Sequence, residues 1–571
     1  MKPLRSWVFV LVACVLRGLS PAPLQAAEGA ARLLQLLPPD PAVCLVVQDL
    51  GGQLEAWNRS GLAEVLFQSP LAQLLPEEWP RTLGEDLDRA LQHHVQCRLH
   101  DLATEVLGDS LVLAFWPATD KAPEKAVILS TLRQPQQAAQ LLERLHDSLR
   151  RSCPGCQLQT RSHAGFRYTC FTDADNRPQF HALARDLLVL SQDEEATQQV
   201  LQQLAQPPRD PLASPLARKF LQMQPDQAAC VFLLDPRAVL PELAAQLQQA
   251  PEAEAAFLGK LLDYAKTLHA VGVTLRLQPQ PAVVVSLLAE TDAWPEPARI
   301  LLAEAAKPCT LWSHVPSDAI CVLAVRCPFS ALWAFLTDFL PPEVRRQTQQ
   351  QLEQSCQALL GLDFSRQLLP SLGPDVLLYL GPPPGLLSLT PELVLAIGIR
   401  TAPDQPHLAE ELTDALKTLG GILALARTQA GQPTRLRTRY HGNTRIVCLE
   451  ADDFLLPGLQ PAAAVKDGCL VLALSPASIV RFRRRGDPPP QQDLVLAELA
   501  AHRACLSYLD SPLHRAAWAA LLAPVTGTEP AQVQAQLATV RDTLRTLRVV
   551  QLRCRPQPGG LAFELLLQPG R

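Results

Sequence analysis

The sequence predicts an α+β protein built from two diverged copies of one domain, with a mostly antiparallel sheet and helices packed on a face. Two observations lead to this prediction. Short β-rich segments follow one another through short turns, without the regular strand–helix alternation that a doubly wound parallel sheet requires. Segments of the first half also recur, in the same order, about 277 residues later in the chain.

The composition is that of an ordinary globular protein. The 571 residues are 48% hydrophobic and 19% charged, and include 52 prolines, 27 glycines and 15 cysteines. These values exclude disorder, collagen and coiled coil for the bulk of the chain, and the length predicts more than one domain. The net charge of −5 becomes −8 without the first 26 residues, since 48 basic and 56 acidic residues remain. Nucleic-acid-binding proteins carry a basic face, so no nucleic-acid partner is expected.

The N-terminus has the layout of a secretory signal peptide. Lys2 and Arg5 precede an uncharged apolar segment at 7–16, and small residues follow it. This segment is too short to span a bilayer, so we expect cleavage after Ala26 and export to the periplasm, the cell envelope or the medium. In an alternative interpretation, Leu-Val-Ala-Cys is a lipoprotein signal and Cys14 carries a lipid anchor. No later segment has the 18 or more apolar residues of a membrane helix, so no transmembrane helix is expected in the mature chain.

Each predicted strand is a run of β-branched, leucine or aromatic residues between turn residues. In the first copy, these runs are 43–48, 111–116, 126–132, 167–171, 187–191, 229–235, 271–278 and 282–288. Helices are predicted where apolar residues recur at helical spacing, at 83–107, 136–149, 194–204, 241–268, 406–427 and 530–548. The second and third strands, and the last two strands of each copy, are predicted hairpins.

Five collinear matches carry the internal repeat. They pair 37–57 with 315–335, 167–175 with 445–453, 184–192 with 465–475, 228–236 with 503–511, and 273–288 with 550–567. They predict a first copy at 27–290, a proline-marked connection at 291–309 and a second copy at 310–571. Three cysteine pairs recur at nearly one offset, namely Cys44/Cys321, Cys170/Cys448 and Cys230/Cys505. A residue retained at a strand position is most simply explained by packing, so these cysteines are predicted to be buried.

Four segments carry a resemblance to a known family. They are LLQLLPPDPAVCLVVQDLGGQLEAW at the mature start, NRSGLAEVLFQSPLAQLL, LGDSLVLAF (107–115) and DLLVLSQDEEATQQVL (186–201). Together they resemble the exported bacterial proteins grouped as domain of unknown function 3352, and similar long exported planctomycete proteins. The resemblance covers most of both copies and consists of patterning. It implies a shared fold and an envelope or secreted protein of unassigned role, with no catalytic residues to carry over.

The densest set of potential metal ligands is His93, Cys97 and His100. On a continuous helix these residues are at i, i+4 and i+7 and share a face, and imidazole and thiolate suit Zn or Cu. The competing explanation is a polar helix face with one buried cysteine. The corresponding segment of the second copy keeps Cys356 but has no histidine, so a function shared by both copies cannot depend on this cluster.

Cys153 and Cys156 form a Cys-Pro-Gly-Cys motif. Its spacing fits a redox dithiol or half of a zinc site. The motif follows the predicted end of a helix, and Pro-Gly favours a turn. A disulfide that closes this turn is therefore the preferred prediction.

A basic run from Arg481 to Arg485 precedes three prolines. It could contact an anionic polymer or lipid headgroups. The simpler interpretation is a charged helix end before a loop.

The sequence has no GxSxG elbow, no P-loop, no HExxH and no GxGxxG after a strand, and no cofactor is predicted. The preferred hypothesis is an exported, non-catalytic envelope or periplasmic protein that binds a protein, a polymer or an apolar ligand. One alternative is a metal- or thiol-dependent enzyme that uses His93, Cys97 and His100. The other is a carrier of lipid or another apolar molecule.

Overall fold

The computed structural model forms two compact units. It describes residues 25–50, 52–53, 88–89, 91–118, 123–152, 155–173, 176–206, 214–225, 228–238, 240–241, 244, 247, 251–277, 281–383, 390–400, 407–452, 454, 458–485, 495–500, 510–557 and 560–569. Unit 1 consists of 1–245, 262–290 and 557–563, and unit 2 of 246–261, 291–556 and 564–571. The predicted connection at 291–309 falls in unit 2 and contains a helix at Glu296–Ala305.

The described part of unit 1 contains ten strands in one sheet. They are β1 (Val43–Gln48), β2 (Leu107–Trp116), β3 (Lys125–Leu132), β4 (Gln157–His163), β5 (Phe166–Thr172), β6 (Pro178–Ala184), β7 (Leu187–Ser191), β8 (Ala228–Leu234), β9 (Leu268–Arg276) and β10 (Ala282–Ala289). Their spatial order is β4-β5-β6-β7-β3-β2-β1-β8-β9-β10, and every neighbouring pair is antiparallel. The predicted α+β class and antiparallel sheet are confirmed.

Helices cover both faces of the unit 1 sheet, whereas the sequence predicted one face. The helices are α1 (Gln25–Gln35), α2 (Pro135–Ser152), α3 (Glu194–Ala205) and α4 (Pro215–Gln222). The main core joins one sheet face to α1, α3 and α4, and it includes Leu187 of β7. The next residue, Leu188, packs instead in the cluster that holds Leu141 and Ala138 of α2. Successive strand residues face opposite sides of a sheet, so α2 covers the other face.

Unit 2 repeats the strand order of unit 1. Its strands are β11 (Cys321–Arg326), β12 (Leu372–Gly381), β13 (Glu392–Ile399), β14 (Thr434–His441), β15 (Thr444–Ala451), β16 (Ala462–Lys466), β17 (Cys469–Ala473), β18 (Val495–Ala500), β19 (Leu547–Gln557) and β20 (Gly560–Pro569), except that the end of β19 and the first residues of β20 fall in the 557–563 segment of unit 1. The order is β14-β15-β16-β17-β13-β12-β11-β18-β19-β20. The ladders from β14 to β19 are antiparallel.

The remaining helices are α5 (Glu252–Thr267), α6 (Glu296–Ala305), α7 (Phe329–Asp338), α8 (Pro342–Leu360), α9 (Leu408–Gln429), α10 (Pro476–Arg481), α11 (Pro512–Thr526) and α12 (Pro530–Thr546). In unit 2 the main core includes Ile479 of α10 on one sheet face. A second cluster contains Leu408 and Leu412 of α9 and is packed against Val465 of β16. Among the residues that the structure describes, no helix is long and apolar enough to cross a membrane.

The ladder registers test the three repeated cysteine pairs. Cys170 lies opposite Gln159, and Cys448 lies opposite Arg437, so both members of this pair are displaced by the same 278 residues as their partners. Both are buried in the main core of their unit. This cysteine pair therefore occupies equivalent positions in the two sheets.

Cys44 and Cys321 do not occupy equivalent positions in the two sheets. Cys44 faces the main core of unit 1, but in unit 2 Val322 takes the core position and Cys321 lies on the opposite face, half-buried. Side chains alternate along a strand, so an alignment error of one residue exchanges the two faces. A second mismatch concerns the strand that pairs with β11, which is β18 (Val495–Ala500). This strand precedes 503–511, the segment that the internal repeat matched with 228–236. Most of that segment, including Cys505, lies outside the described residues.

Sequence patterning missed β4 and β6 and overextended two helices. β4 is the edge strand of unit 1, and its sequence QLQTRSH is polar on both faces, so it has no alternation to detect. The predicted helix at 241–268 ends at Thr267, where β9 begins. The one predicted at 83–107 is interrupted before β2, as described below.

Candidate functional site

A polar cleft lies at one end of the unit 2 sheet. Its walls come from the end of β11, the start of β12, the end of β13 and the turn between β16 and β17. The 3-10 turn Thr310–His314 and Arg484, which follows α10, complete the lining. The volume is about 590 Å³, within the roughly 300–1,000 Å³ that is typical of small-molecule sites.

A β-bulge at the start of β12 shapes this cleft. The register between β12 and β13 shifts between Leu372 and Val376, so the intervening residues leave the ladder. Gly373 lies so close to Gly398 that a Cβ atom on Gly373 would be 2.8 Å from the Gly398 carbonyl oxygen. Only glycine allows this approach, and this wall of the cleft is therefore main chain.

Arg326 is held rigidly in the wall by two carboxylates. Its Nη2 lies 2.9 Å from Oε2 of Glu304, and its Nη1 lies 3.3 Å from Oδ1 of Asp375. Asp375 also accepts hydrogen bonds from the backbone N–H and the hydroxyl of Thr310, both at 3.0 Å. Hydrogen bonds from Lys307 and Arg326 hold the pKa of Glu304 below its usual value. The charge of Arg326 is thus already compensated within the protein.

Arg400 and Arg484 differ from Arg326, because both are exposed and neither forms an ion pair with any residue that the structure describes. Both line the cleft. Asp467 is the acidic lining residue other than Asp375, and it sits with Gly468 in a turn where both residues have positive φ. The uncompensated lining groups are therefore two guanidinium groups and one carboxylate. Planar guanidinium groups suit carboxylate and phosphate ligands.

His314 forms a buried, uncharged part of the lining. Its ring stacks on Phe482 with centroids 4.7 Å apart and an angle of 15° between the planes. Nδ1 lies 3.3 Å from Oγ of Ser313, which donates to the carbonyl oxygen of Thr310. Burial lowers the pKa of His314 below its usual value. The imidazole is therefore neutral at pH 7.

The one cysteine of the described lining is not a thiolate. The thiol of Cys469 is buried, which raises its pKa to about 12, so it stays protonated at neutral pH. Oγ of Ser313 lies 3.0 Å from the Thr310 carbonyl oxygen, to which it donates, and 3.3 Å from Nδ1 of His314. Nucleophilic catalysis needs a thiolate, or a hydroxyl hydrogen-bonded to a base. In this structure Cys469 does not meet the first condition, and Ser313 donates to a carbonyl oxygen.

Unit 1 has the same bulge with different side chains. A Cβ atom on Gly108 would be 2.8 Å from the carbonyl carbon of Thr131, and β2 shifts register against β3 after Leu107. Gln48 pairs with Ser110 in unit 1 at the ladder position where Arg326 pairs with Asp375 in unit 2.

The unit 1 counterpart of Arg400 is Arg133. Arg133 follows Leu132, which pairs with the first residue of β2. Arg400 follows Ile399, which pairs with the first residue of β12. Arg133 is compensated by Asp109 and by Asp49, whose carboxylate lies 3.6 Å away. Exposed, unpaired guanidinium groups at this bulge are thus a feature of unit 2.

One sequence signal was available for the bulge. LGDSLVL at 107–113 and LGPDVLL at 372–378 match at an offset of 265 residues. This offset differs from the value near 277 that the other repeated segments share, so these two segments were not part of the predicted repeat.

The predicted metal cluster does not form a helical face. The helix that contains His93 ends at Val95, Gln96 has a positive φ of 54°, and a new helical turn begins at Leu99. Cys97 lies in the break, where its thiol donates to the Arg98 carbonyl oxygen.

The spacing of i, i+4 and i+7 from His93 through Cys97 to His100 therefore does not apply. Among the residues that the structure describes, no group of three or more His, Cys, Asp or Glu side chains is placed to hold a metal ion.

Cys156 is disulfide-bonded. Cys153 lies outside the described residues, so the predicted pairing of the two stays a prediction. Cys97 and Cys356 are free and partly exposed.

The fold and the cleft define a class: an α+β protein with two units of equal strand order, one of which has a charged cleft. The family model described as protein of unknown function (DUF3352) matches residues 105–434. This is more than half of the chain, and the chain therefore belongs to this family. The match includes Arg326 and Arg400 but ends before Asp467 and Arg484. No curated protein and no solved structure matches the chain.

Proposed function

We propose that this protein is an exported, non-catalytic binding protein whose unit 2 cleft binds the carboxylate or phosphate group of an anionic ligand. One observation carries the proposal: Arg400 and Arg484 are exposed and unpaired, within the described residues, beside a wall that Arg326 and its two carboxylates already hold in place. The carboxylate of Asp467 favours a ligand that also carries a hydroxyl or ammonium group.

The cavities favour this ligand over an apolar one. A second cleft, in unit 1, is lined by Leu34, Leu37, Leu216 and Leu233, but its volume is only about 60 Å³. This is about a tenth of the volume of the unit 2 cleft, and it is too small for a lipid chain. The carrier hypothesis therefore has no support in the described cavities.

Two observations support export. The buried residues of α1 begin at Ala30, after the expected cleavage site at Ala26, so the mature chain retains the α1 core. The disulfide bond of Cys156 suits an oxidising compartment. Residues 1–24, which include Cys14, lie outside the described part.

Two observations support an origin by duplication. The two units share one order of ten strands. Each also has a glycine bulge at the start of its second strand, at Gly108 and Gly373. In this proposal, unit 2 carries the ligand site, and unit 1 has neutral residues at the register of Arg326 and Asp375.

The test is calorimetric titration of chain 27–571 at low ionic strength with pyrophosphate and, separately, with citrate. We expect Arg400→Ala and Arg484→Ala each to weaken binding of the preferred anion at least tenfold, which corresponds to about 1.4 kcal/mol. Arg483→Ala is the matched control, because Arg483 is an exposed neighbour that does not line the cleft. We expect it to change the affinity less than twofold.

The two anions distinguish a phosphate site from a carboxylate site. Equal weakening by Arg483→Ala and Arg484→Ala would mean that general charge, and not the cleft, attracts the anion. Failure of the wild-type chain to bind either anion would overturn the proposal.

A further inference from the structure

The structure brings together a pair of histidines that the sequence did not single out. His146 of α2 and His181 of β6 face each other between the helix and the sheet, with their Nε2 atoms 2.8 Å apart. The ring centroids are 4.7 Å apart, so the two rings approach through their Nε2 edges. Both side chains are half-buried, and solvent therefore reaches the pair.

Apolar side chains pack between α2 and the sheet on the same sheet face as His181. Ala138 and Leu141 of α2 pack there with Leu183, which follows His181 by two residues on the same face of β6. In unit 2, the strand position that corresponds to His181 is Ala463, which pairs with Leu472 as His181 pairs with Leu190. Packing in this fold thus does not require an imidazole at this position.

Both imidazoles are neutral at pH 7, which is the form that binds metals. Burial, and to a smaller extent His146, lower the pKa of His181 to about 4. Burial and Arg150 lower the pKa of His146, although Asp147 and Glu143 oppose this shift. The strand neighbours of His181, Thr169 and Leu190, carry no charge.

The separation of the two nitrogens is that of a hydrogen bond, and it is also compatible with one coordination geometry. Two imidazole nitrogens about 2.0–2.1 Å from one ion are about 2.9 Å apart at cis positions of a square-planar or octahedral ion, but about 3.3 Å apart at a tetrahedral ion. The observed 2.8 Å matches the cis arrangement. Square-planar and tetragonal nitrogen and oxygen sites are typical of Cu²⁺.

We propose that His146 and His181 form a Cu²⁺ site in unit 1, with water molecules in the remaining coordination positions. Water is required because the described residues contain no third His, Cys, Asp or Glu ligand at this place. The site is separate from the predicted cluster of His93, Cys97 and His100, and it does not depend on the anion cleft of unit 2. In the hydrogen bond between the two rings, one Nε2 carries the proton and the other accepts it. Coordination by both Nε2 atoms therefore requires the donor ring to change tautomer, so that its proton moves through solvent to Nδ1 and both rings remain neutral.

The test uses the tag-free chain 27–571, stripped with EDTA. Exposed thiols are first blocked with N-ethylmaleimide, because Cys97 and Cys356 are partly exposed and would otherwise consume Cu²⁺. Cu²⁺ is then titrated and followed by continuous-wave and pulsed electron paramagnetic resonance. We expect one ion per chain with a tetragonal spectrum and the signature of two imidazoles.

His146→Gln and His181→Gln should each weaken Cu²⁺ binding at least tenfold and leave at most one imidazole in the spectrum. His163→Gln is the matched control, because His163 is at the end of β4 in the same unit and has no part in the pair. Circular dichroism and thermal unfolding verify that each variant is folded, and His146→Gln carries the test if His181→Gln does not fold.

Two results overturn the proposal. The first is a folded His146→Gln variant that binds Cu²⁺ with unchanged affinity and two imidazoles. The second is a wild-type chain that binds Zn²⁺ but not Cu²⁺, since that result contradicts the cis geometry.

Discussion

Arg326 and Asp375 lie directly opposite each other on β11 and β12, and their side chains form an ion pair of 3.3 Å at the end of the unit 2 sheet. At the same register in unit 1, Gln48 lies opposite Ser110. The same strand order therefore carries a charged pair in one unit and a neutral pair in the other. This difference separates the cleft of unit 2 from its counterpart.

The first prediction concerns the contribution of the Arg326–Asp375 ion pair to stability. Asp375→Asn should destabilise the protein by about 1–3 kcal/mol, because the half-buried Arg326 loses a charged partner and the two donors of Thr310 lose a charged acceptor. The measurement is urea-induced unfolding. The double variant Arg326→Gln/Asp375→Ser reproduces the unit 1 pair and should recover part of the loss, since both charges are removed together. If Asp375→Asn has the same free energy of unfolding as the wild type, the ion pair does not stabilise the protein.

The second prediction concerns the bulge. Gly373→Ala should cost about 1–3 kcal/mol, because the new Cβ atom would be 2.8 Å from a backbone oxygen that cannot move aside easily. Gly421→Ala in α9 is the control. There the nearest atom is a side-chain carbon at 4.0 Å, and alanine should be neutral or stabilising by up to about 1 kcal/mol, as expected for a helix. Thermal unfolding of both variants gives the comparison, and equal effects would contradict the role of the bulge.

The third prediction is a dependence of stability on pH. The unfolded chain protonates His181 near its ordinary pKa of 6.5, but burial lowers the folded pKa to about 4. Between these values, the unfolded state binds more protons, so the free energy of unfolding falls as the pH is lowered from about 6.5 to about 4. At pH 5 the loss from this group is about 1–2 kcal/mol.

The measurement is urea unfolding of the wild type and of His181→Gln at pH 7 and pH 5. We expect the variant to lose less stability between the two pH values. His314, whose pKa is also lowered by burial, contributes to the dependence that remains. An identical dependence in both proteins would exclude His181 as its source.

The fourth prediction concerns the cysteines. Under native conditions iodoacetamide should modify Cys97 and Cys356, which are partly exposed, and should leave Cys44 and Cys230 unmodified, because burial raises their pKa and blocks access. Peptide mapping without reductant should recover Cys156 in a disulfide. The sequence predicts Cys153 as its partner, and a link to any other cysteine would refute that pairing.

The fifth prediction concerns the N-terminus. Chain 27–571 should be as stable as the chain with residues 25 and 26 retained, because it keeps every residue of α1 that is known to be buried, from Ala30 onwards. Removal of residues up to 36 should destabilise unit 1 by several kcal/mol, since it deletes Leu33, Leu34 and Leu36 from the main core. N-terminal sequencing of the protein from its native host tests the expected start at Ala27. A lipid on Cys14 would instead establish the anchored form.

Hydrophobic patterning located most of the regular structure. The helix predicted at 136–149 is observed at Pro135–Ser152, and the one at 194–204 is observed at Glu194–Ala205. Both have an apolar face at helical spacing, and that signal is local. Patterning failed at β4, which is polar on both faces, and around Gln96, where a single residue with positive φ ends a helix. Neither feature has a periodic signature.

The amino-acid sequence alone determined the α+β class, the antiparallel strands and the burial of Cys170 and Cys448, because these follow from periodicity within short segments. The cleft and the histidine pair depended on tertiary structure. Arg326 and Arg400 are 74 positions apart in the sequence, and His146 and His181 are 35 apart. The strand registers and the bulge at Gly373 bring the two arginines to the same cleft. The packing of α2 on the sheet brings the two histidines together. Register is a property of paired strands, and no single segment contains it.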